Sequence, residues 1–426
     1  MRKLLRAAVV VALCAALGAA SAQARPSTHK GVVNLTLATY VWQPTTVAAM
    51  NGIVSSWNKT HPSIQVSIVP VDVNSVHDKL LTSFVGGSSA DIVHDEAADI
   101  PSFTQAGYLA NLSPLIPASL RAEIPKTLWN TVNFGRKYGI TGVPIMTQTY
   151  NVFANMDLLK AAGIKAPTAT SPWTWNQFRA AAKKLTSNGN FGVCWGLKSP
   201  TALIQTVGLN WGAQWNYLQN GKWNLVVGAP EQKVLTTIHD MIYADQSVDP
   251  SGVGLSGSAV LPEFFAGKCA MTVQGNYQAQ GMITQSPKGF NWAMFPVLKG
   301  DTENQAANPQ TLSVAQQSSH KAEAMQFIAY ALNNSNMAKL SAGDWLIPAS
   351  ADAAKLVVKS TNHYGSWRNA ISAVPDLVKA NWVSLVPYAQ WKAQIATPAF
   401  RSYLSNQLSL QDLITQLTNG WNQIRG

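Results

Sequence analysis

The densest group of acidic side chains in the sequence is Asp91, Asp95, Glu96 and Asp99. Two carboxylates can hydrolyse a glycosidic bond when they stand roughly 5–10 Å apart and one stays protonated while the other is ionised. A plainer reading is stronger. Asp95 and Glu96 fall at the carboxyl end of an expected strand, entering a helix, where acids complement the helix dipole. Open α/β sheets bind ligands at that same end, so these groups can recognise a polar molecule without transforming it. The sequence carries no G-x-S-x-G elbow, P-loop, Gly-rich dinucleotide fingerprint or H-E-x-x-H pair, which counts against the enzyme classes built on them. No cofactor or metal cluster is expected.

Aromatic side chains are the second group. Tyr40, Trp42, Trp173, Trp211, Trp215, Tyr277 and Trp345 fall at expected strand ends or loops. A sugar ring has an apolar C–H face and an equatorial belt of hydroxyls, so its sites combine flat aromatic platforms with fixed donors and acceptors. For any one tryptophan, packing is the commoner role; as a group, beside many Asn and Gln, they favour a carbohydrate. Trp57, Trp175 and Trp421 sit on helical stripes or at a helix start and are assigned to packing. Charged residues make up only 12% of the 426, against about 25% in an average soluble domain. Amides and hydroxyls must therefore carry much of the contact with water. With 47% hydrophobic residues and 15 Trp, the chain has ample apolar surface to offset chain entropy, which excludes intrinsic disorder.

The elements that position these groups alternate. A strand at 35–40 is followed by Val47, Met50, Val54 and Trp57 on one helical stripe, then by a strand through Ile64, Val66 and Ile68. Ser75 to Asp78 reads as a capping box, followed by a strand at 91–94 and a helix at 100–107. This βαβα opening predicts a largely parallel sheet covered by helices. Further on, 138–144 reads as a strand and Thr174 to Gln177 as a second capping box. Helices are expected at 231–244, 321–332 and after Ser409, and strands at 268–274 and 291–295. The stretch 300–308 reads as a polar connector. Two α/β lobes joined by ordinary strands fit this order.

Arg2, Lys3 and Arg6 precede an apolar run at 7–20 and the small-x-small site ending at Ala24. The pattern predicts a signal peptide over 1–24, too short to span a bilayer, and an exported, soluble protein, periplasmic or secreted. Leu13 before Cys14 departs from the small residue that a lipid-attachment site needs, which argues against a lipid anchor. Cleavage takes the formal charge from +11 to +8, with 28 basic and 20 acidic residues remaining. The basic residues are dispersed, so nothing marks a nucleic-acid partner. Cys194 and Cys269 would be the only cysteines left; a disulfide and two buried thiols are equally compatible with their positions.

The sequence resembles the extracellular solute-binding proteins of bacterial ABC importers, in particular the large sugar-binding type that includes maltodextrin-binding protein. The resemblance begins at Ile53-Val54-Ser55-Ser56-Trp57-Asn58-Lys59-Thr60-His61-Pro62 and continues through Ser89-Ala90-Asp91-Ile92-Val93 and Ala106-Gly107-Tyr108-Leu109. It resumes at Asn155-Met156-Asp157-Leu158-Leu159, Trp173-Thr174-Trp175-Asn176-Gln177-Phe178, Phe265-Ala266-Gly267-Lys268-Cys269-Ala270-Met271 and Gly275-Asn276-Tyr277. Each motif is weak alone, but their order spans nearly the whole mature chain. Tyr277 replaces the family's usual Trp, Ala154 its Tyr, and Asn308-Pro309-Gln310-Thr311 stands where a Gly-Gly turn is common.

The resemblance implies a type II periplasmic-binding-protein fold: two lobes, each a mixed sheet flanked by helices, with the ligand cleft between them. It divides the chain into 32–146 plus 304–346 and 147–303 plus 347–426, with crossings near 146–148, 297–308 and 346–350. It implies as ligand contacts Trp42 and Gln43 at the first strand end, Asp95 and Glu96 from the third unit, Gln148 at the first crossing, Trp211, Asn276 and Tyr277 from the second lobe, and Trp345 near the last crossing. It further implies a non-catalytic, monomeric receptor that takes a small carbohydrate and delivers it to a membrane permease. Two alternatives stay open: an anionic ligand such as a glycerol phosphodiester or uronate, met by Arg136, Lys137 or Lys198, and a secreted glycoside hydrolase.

Overall fold

A computed structural model describes residues 31–187, 189–361 and 367–425; the expected signal peptide lies outside them. The strands are β1 (Val33–Tyr40), β2 (Ile64–Val71), β3 (Ile92–Glu96), β4 (Val143–Thr147), β5 (Tyr150–Asn155), β6 (Phe191–Val193) and β7 (Asn216–Gln219). They continue as β8 (Lys222–Leu225), β9 (Cys269–Gly275), β10 (Trp292–Met294), β11 (Gln305–Ala306), β12 (Gln310–Val314), β13 (Ile347–Pro348) and β14 (Leu377–Val378). Six of them form one sheet in the order β13-β4-β12-β3-β1-β2, and four form another in the order β10-β5-β9-β6.

The first sheet grows from the βαβα opening. β1 pairs in parallel with β2 and with β3, and the crossovers are α1 (Pro44–Thr60) and α2 (Val76–Val85), followed after β3 by α3 (Ile100–Gln105). Strand β4 is buried along its whole length, as expected for a strand covered by helices on both faces. β12 returns from the other lobe and lies antiparallel between β3 and β4. Met50, Val54 and Trp57 of the predicted α1 stripe are buried, together with Ile53, while Val47 is only partly covered. In the second sheet β5 runs antiparallel to β9 and β10, and β6 parallel to β9. Cys194, just after β6, forms a disulfide with Cys269 in β9, with Cα atoms 5.5 Å apart. Trp175 and Trp421 are buried core residues. Among the described residues no helix is long and apolar enough to cross a membrane.

Several local expectations are corrected. Ser75 closes a short 3-10 turn with ψ near 11°, so its side chain makes no cap hydrogen bond to α2. The Thr174 box does form, with Gln177 closing it reciprocally. Residues 135–138 make a single helical turn; Gly139, at φ +68°, reverses the chain in a conformation that only glycine takes cheaply, and the strand starts at Val143. The 300–308 connector holds β11, which pairs with β14. β13 pairs with β4 in the first sheet, and the helix Ala351–Ser360 packs on the helix Asn334–Asp344. Residues 347–360 thus pack with the first lobe.

Candidate ligand-binding site

The carboxyl ends of β1 and β3 bring the predicted acids together with groups from distant segments. Tyr40, at the end of β1, stacks on His94 with ring centroids 3.9 Å apart and donates its hydroxyl to Asp95 Oδ1 at 3.4 Å. His94 is fixed at both nitrogens, by Thr39 Oγ1 at 2.9 Å and Gln310 Oε1 at 3.0 Å. Burial pushes its pKa down to about 4, so the ring is neutral. Asp95 Oδ1 also accepts the Glu96 amide at 2.9 Å, and its Oδ2 lies 3.6 Å from His77 Nδ1, an ion-pair distance too long for a hydrogen bond. His77 stacks on Phe103 of α3. Glu96 Oε2 accepts Asn308 Nδ2 at 2.9 Å, while Asn308 Oδ1 accepts the Ala98 amide. One side chain at the second crossing thus clamps the whole β3 exit.

The second lobe faces this cluster with amphipathic and cationic groups. Lys392 Nζ lies 3.3 Å from Asp99 Oδ1 and 5.6 Å from the Tyr388 ring centroid. Tyr388 donates to Gln205 Oε1 at 2.8 Å. Gln148 Nε2 donates to the Tyr150 hydroxyl at 3.3 Å. Trp42 and Tyr277 meet edge to face across the lobes, with centroids 5.3 Å apart, and Gln280 Nε2 reaches Thr45 Oγ1 at 3.2 Å. Gly275 is required here: a Cβ at that position would fall 2.1 Å from the Tyr277 ring. Asn276 accepts the Thr149 amide and donates to the Trp345 carbonyl.

The electrostatics follow from burial and excess negative charge. Burial pushes Asp95 up to about 6, with Asp99 adding to the rise and His77 opposing it. Burial and then Asp99 push Glu96 up to about 7. Burial raises Tyr277 to about 12 and Tyr150 and Tyr388 well above the phenol range, and Glu96 adds to all three. For His77 burial is the largest influence and lowers the pKa, but Asp95 and Asp99 together outweigh it and the net shift is upward. Lys392 is likewise raised, since Asp99, Glu96 and Asp95 overcome its burial. The result is a cluster of carboxylates, phenols and amides that can accept and donate hydroxyl hydrogen bonds, beside Lys392.

Beside the cluster runs a groove of about 930 Å³ between α2 and α3 on one side and the β7–β8 hairpin and residues 384–394 on the other. His77 lines it and is the link to the cluster.

Of the predicted contacts, Asp95 and Glu96 adjoin at the β3 exit, Trp42 meets Tyr277, and Gln148 bonds Tyr150; none of the five lines the groove. Gln43 lines a pocket of about 10 Å³ with Trp42 and Asp344. The Asn276 amide is spent on backbone groups. Trp345, at φ +55°, packs edge-on against Trp367, and Trp211 packs on Trp175. Residue-level reasoning assigned no role to His77, Asn308, Tyr150, Tyr388 or Lys392 at the site. A lone lysine on a helix carries no pattern that could have marked it.

The fold is that of type II periplasmic binding proteins. An ABC substrate-binding protein of Listeria monocytogenes, solved in complex with cycloalternan, superposes with a TM-score of 0.76 at 19% identity, covering 92% of this chain and 98% of that one. The sugar-binding protein MalE of Xanthomonas citri gives a TM-score of 0.77 at 18% identity, covering 92% and 97%. A relative in Streptomyces antibioticus, named an uncharacterized lipoprotein in the oleD 5' region, is 38% identical over 386 residues, 90% of this chain and 85% of its own. Residues 42–338 match the sequence profile of the bacterial extracellular solute-binding proteins. The chain belongs to that family.

Proposed function

We propose that this chain is the extracytoplasmic receptor of an ABC importer, that it binds a neutral sugar or oligosaccharide between its lobes, and that it delivers the ligand to a membrane permease. The observation that carries this reading is the junction of the lobes, where Trp42 meets Tyr277 edge to face and the Glu96 carboxylate is near enough to raise the pKa of Tyr277 and of Tyr150, the partner of Gln148. Stacking surface beside fixed acceptors is what a sugar needs, and a buried polar group left unpaired by a wrong ligand costs about 1–3 kcal/mol. Among the described residues one lobe comprises 32–146 plus 304–360 and the other 147–303 plus 367–425, and the working form is a monomer.

The anionic-ligand alternative fares worse. Arg136, Lys137 and Lys198 are exposed, and the β3 exit gathers Asp95, Glu96 and Asp99, with Lys392 paired to Asp99. The receptor reading is tested by incubating the purified protein with neutral sugars, uronates and sugar phosphates, following thermal stability and product formation together. Stabilisation by neutral sugars without turnover supports it; turnover establishes a hydrolase, and stabilisation by the anions alone establishes the other alternative. Export is tested by intact mass: cleavage after Ala24 gives a product beginning at Arg25, whereas a lipid-bearing Cys14 at the N-terminus would align the protein with its lipoprotein relative.

A further inference from the structure

We propose that Asn308 is a positioning residue for ligand recognition: it occupies one oxygen of Glu96 and leaves the other, Oε1, as the fixed contact for a ligand hydroxyl at the junction of the lobes. The inference rests on the sugar-receptor reading and adds to it which of two adjacent acids meets the ligand and what aims it.

Asp95 and Glu96 are neighbours in the chain but do different work. Asp95 is 1% exposed, its Oδ1 accepts both the Tyr40 hydroxyl and the Glu96 amide, and its Oδ2 faces His77. Such a group supports the strand end from inside. Glu96 is half-buried; its Oε2 accepts Asn308 Nδ2 at 2.9 Å, and no described group bonds its Oε1. Tyr277, Tyr150 and Tyr388 of the second lobe all feel its charge, so the carboxyl stands where both lobes can close on one hydroxyl. Oε1 is therefore the acid oxygen left for a ligand.

The Asn308 amide has one workable orientation. The Ala98 amide can only donate, so Oδ1 must face it, at 2.9 Å; a flipped side chain would set oxygen against the Glu96 carboxylate and N–H against N–H. The chain around Asn308 is held from both lobes. The Ala307 amide donates to the Val378 carbonyl of β14 at 2.8 Å, and the Pro309 carbonyl accepts the Ala97 amide at 2.8 Å. Asn308 is thus the residue at which the second crossing passes from second-lobe to first-lobe partners, and it is 9% exposed. Glycines, common at this turn in the family, have no side chain with which to reach β3; this chain places an amide there.

The donor also decides what Oε1 offers. With Oε2 held by an N–H, a proton on the carboxyl sits on Oε1, and loss of that proton turns the same atom into a charged acceptor. A hydrogen bond to a charged oxygen is roughly twice as strong as one between neutral groups, so the ionised form is the better contact for a hydroxyl. Burial and Asp99 push the Glu96 carboxyl up, Asp95 adds to the rise, and Lys392 and the Asn308 donor oppose it. Removing the donor lets the carboxyl swing and makes it harder to ionise.

The test is a double-mutant cycle on the full exported chain, using Asn308→Ala, Glu96→Ala and the double variant, titrated by calorimetry from pH 5 to 8.5. Maltotriose is tried first, and then whichever neutral sugar the thermal screen shows to bind. Affinity in the unsubstituted protein should rise with pH and the profile of Glu96→Ala should be flat. Asn308→Ala should move the midpoint of the rise upward by about half a unit and weaken binding by about tenfold at pH 7. In the Glu96→Ala background the same substitution should change affinity by less than twofold, because its only route to the ligand is gone. Should Asn308→Ala fail to fold, Asn308→Asp keeps the acceptor for the Ala98 amide and takes its place in the cycle. An equal loss in both backgrounds with an unmoved midpoint makes Asn308 a structural clamp and overturns the proposal. Affinity unchanged in Glu96→Ala also overturns it, since that acid would not meet the ligand; either result leaves the receptor reading standing. If no sugar in the screen binds, the receptor reading fails and this inference falls with it.

Discussion

Lys392 and Asp99, 293 positions apart in the chain, form an ion pair at 3.3 Å that joins the second lobe to the first at the exit of β3. Opening the lobes would separate the two and return both to water, so the pair favours closure before any ligand is bound. Lys392→Met removes that bias. The expected result is a larger radius of gyration in solution scattering for the ligand-free variant and an affinity loss of about tenfold, within the usual span of coupling energies. An unchanged scattering profile with unchanged affinity would show that the pair has no part in closure.

Acid strengthens the ligand-free protein down to about pH 4. Asp95 at about 6, Glu96 at about 7 and Asp344 at about 7 all lie above their unfolded values, because burial disfavours the charged forms. The folded state therefore holds more protons than the unfolded one between about pH 4 and 7, and stability falls as pH rises through that window. His94, at about 4 when folded, works in the opposite direction between about pH 4 and 6.5 but is one group against three. The melting temperature should drop between pH 5 and 8, and Glu96→Gln should flatten the drop. A melting temperature that climbs across this range would contradict the assignment.

Trp211 and Tyr277 should part company on truncation. Trp211 packs on Trp175 within the second lobe, so Trp211→Ala should lower stability by about 2 kcal/mol, below the range for a fully buried Trp because the ring is half-exposed. The ligand-induced thermal shift should survive. Tyr277→Ala should abolish the shift, since its ring faces Trp42 at the crevice. Calorimetric titration beside chemical denaturation separates the two effects.

The Cys194–Cys269 disulfide spans 75 residues of chain. Closing such a loop commonly stabilises a fold by about 2–4 kcal/mol. The Cys194→Ala, Cys269→Ala double variant should lose an amount in that range in urea denaturation while still binding its ligand, because the bridge ties β6 to β9 away from the crevice.

Much of the architecture was legible in the residues themselves. The α1 stripe, the Thr174 box and the strand-end position of Asp95 and Glu96 depend on contacts within a few residues, where spacing alone decides burial and capping. Other features needed the assembled chain. Ser75 has the right neighbours for a cap but the wrong backbone angles, and the rings of Trp345 and Trp211 pack against Trp367 and Trp175. A motif fixes what a side chain can do, and its surroundings fix what it does.

The sequence by itself determined the alternating lobes, the family motifs and the chemistry on offer, because periodicity and residue type are local properties. Only the tertiary structure decided which groups meet. Asn308 reaches Glu96, Lys392 reaches Asp99, and His77 joins the acids to the groove because the chain crosses between lobes and folds distant segments onto one cleft. Burial, charge excess and the width of the groove are properties of that assembly, and no stretch of the chain carries them alone.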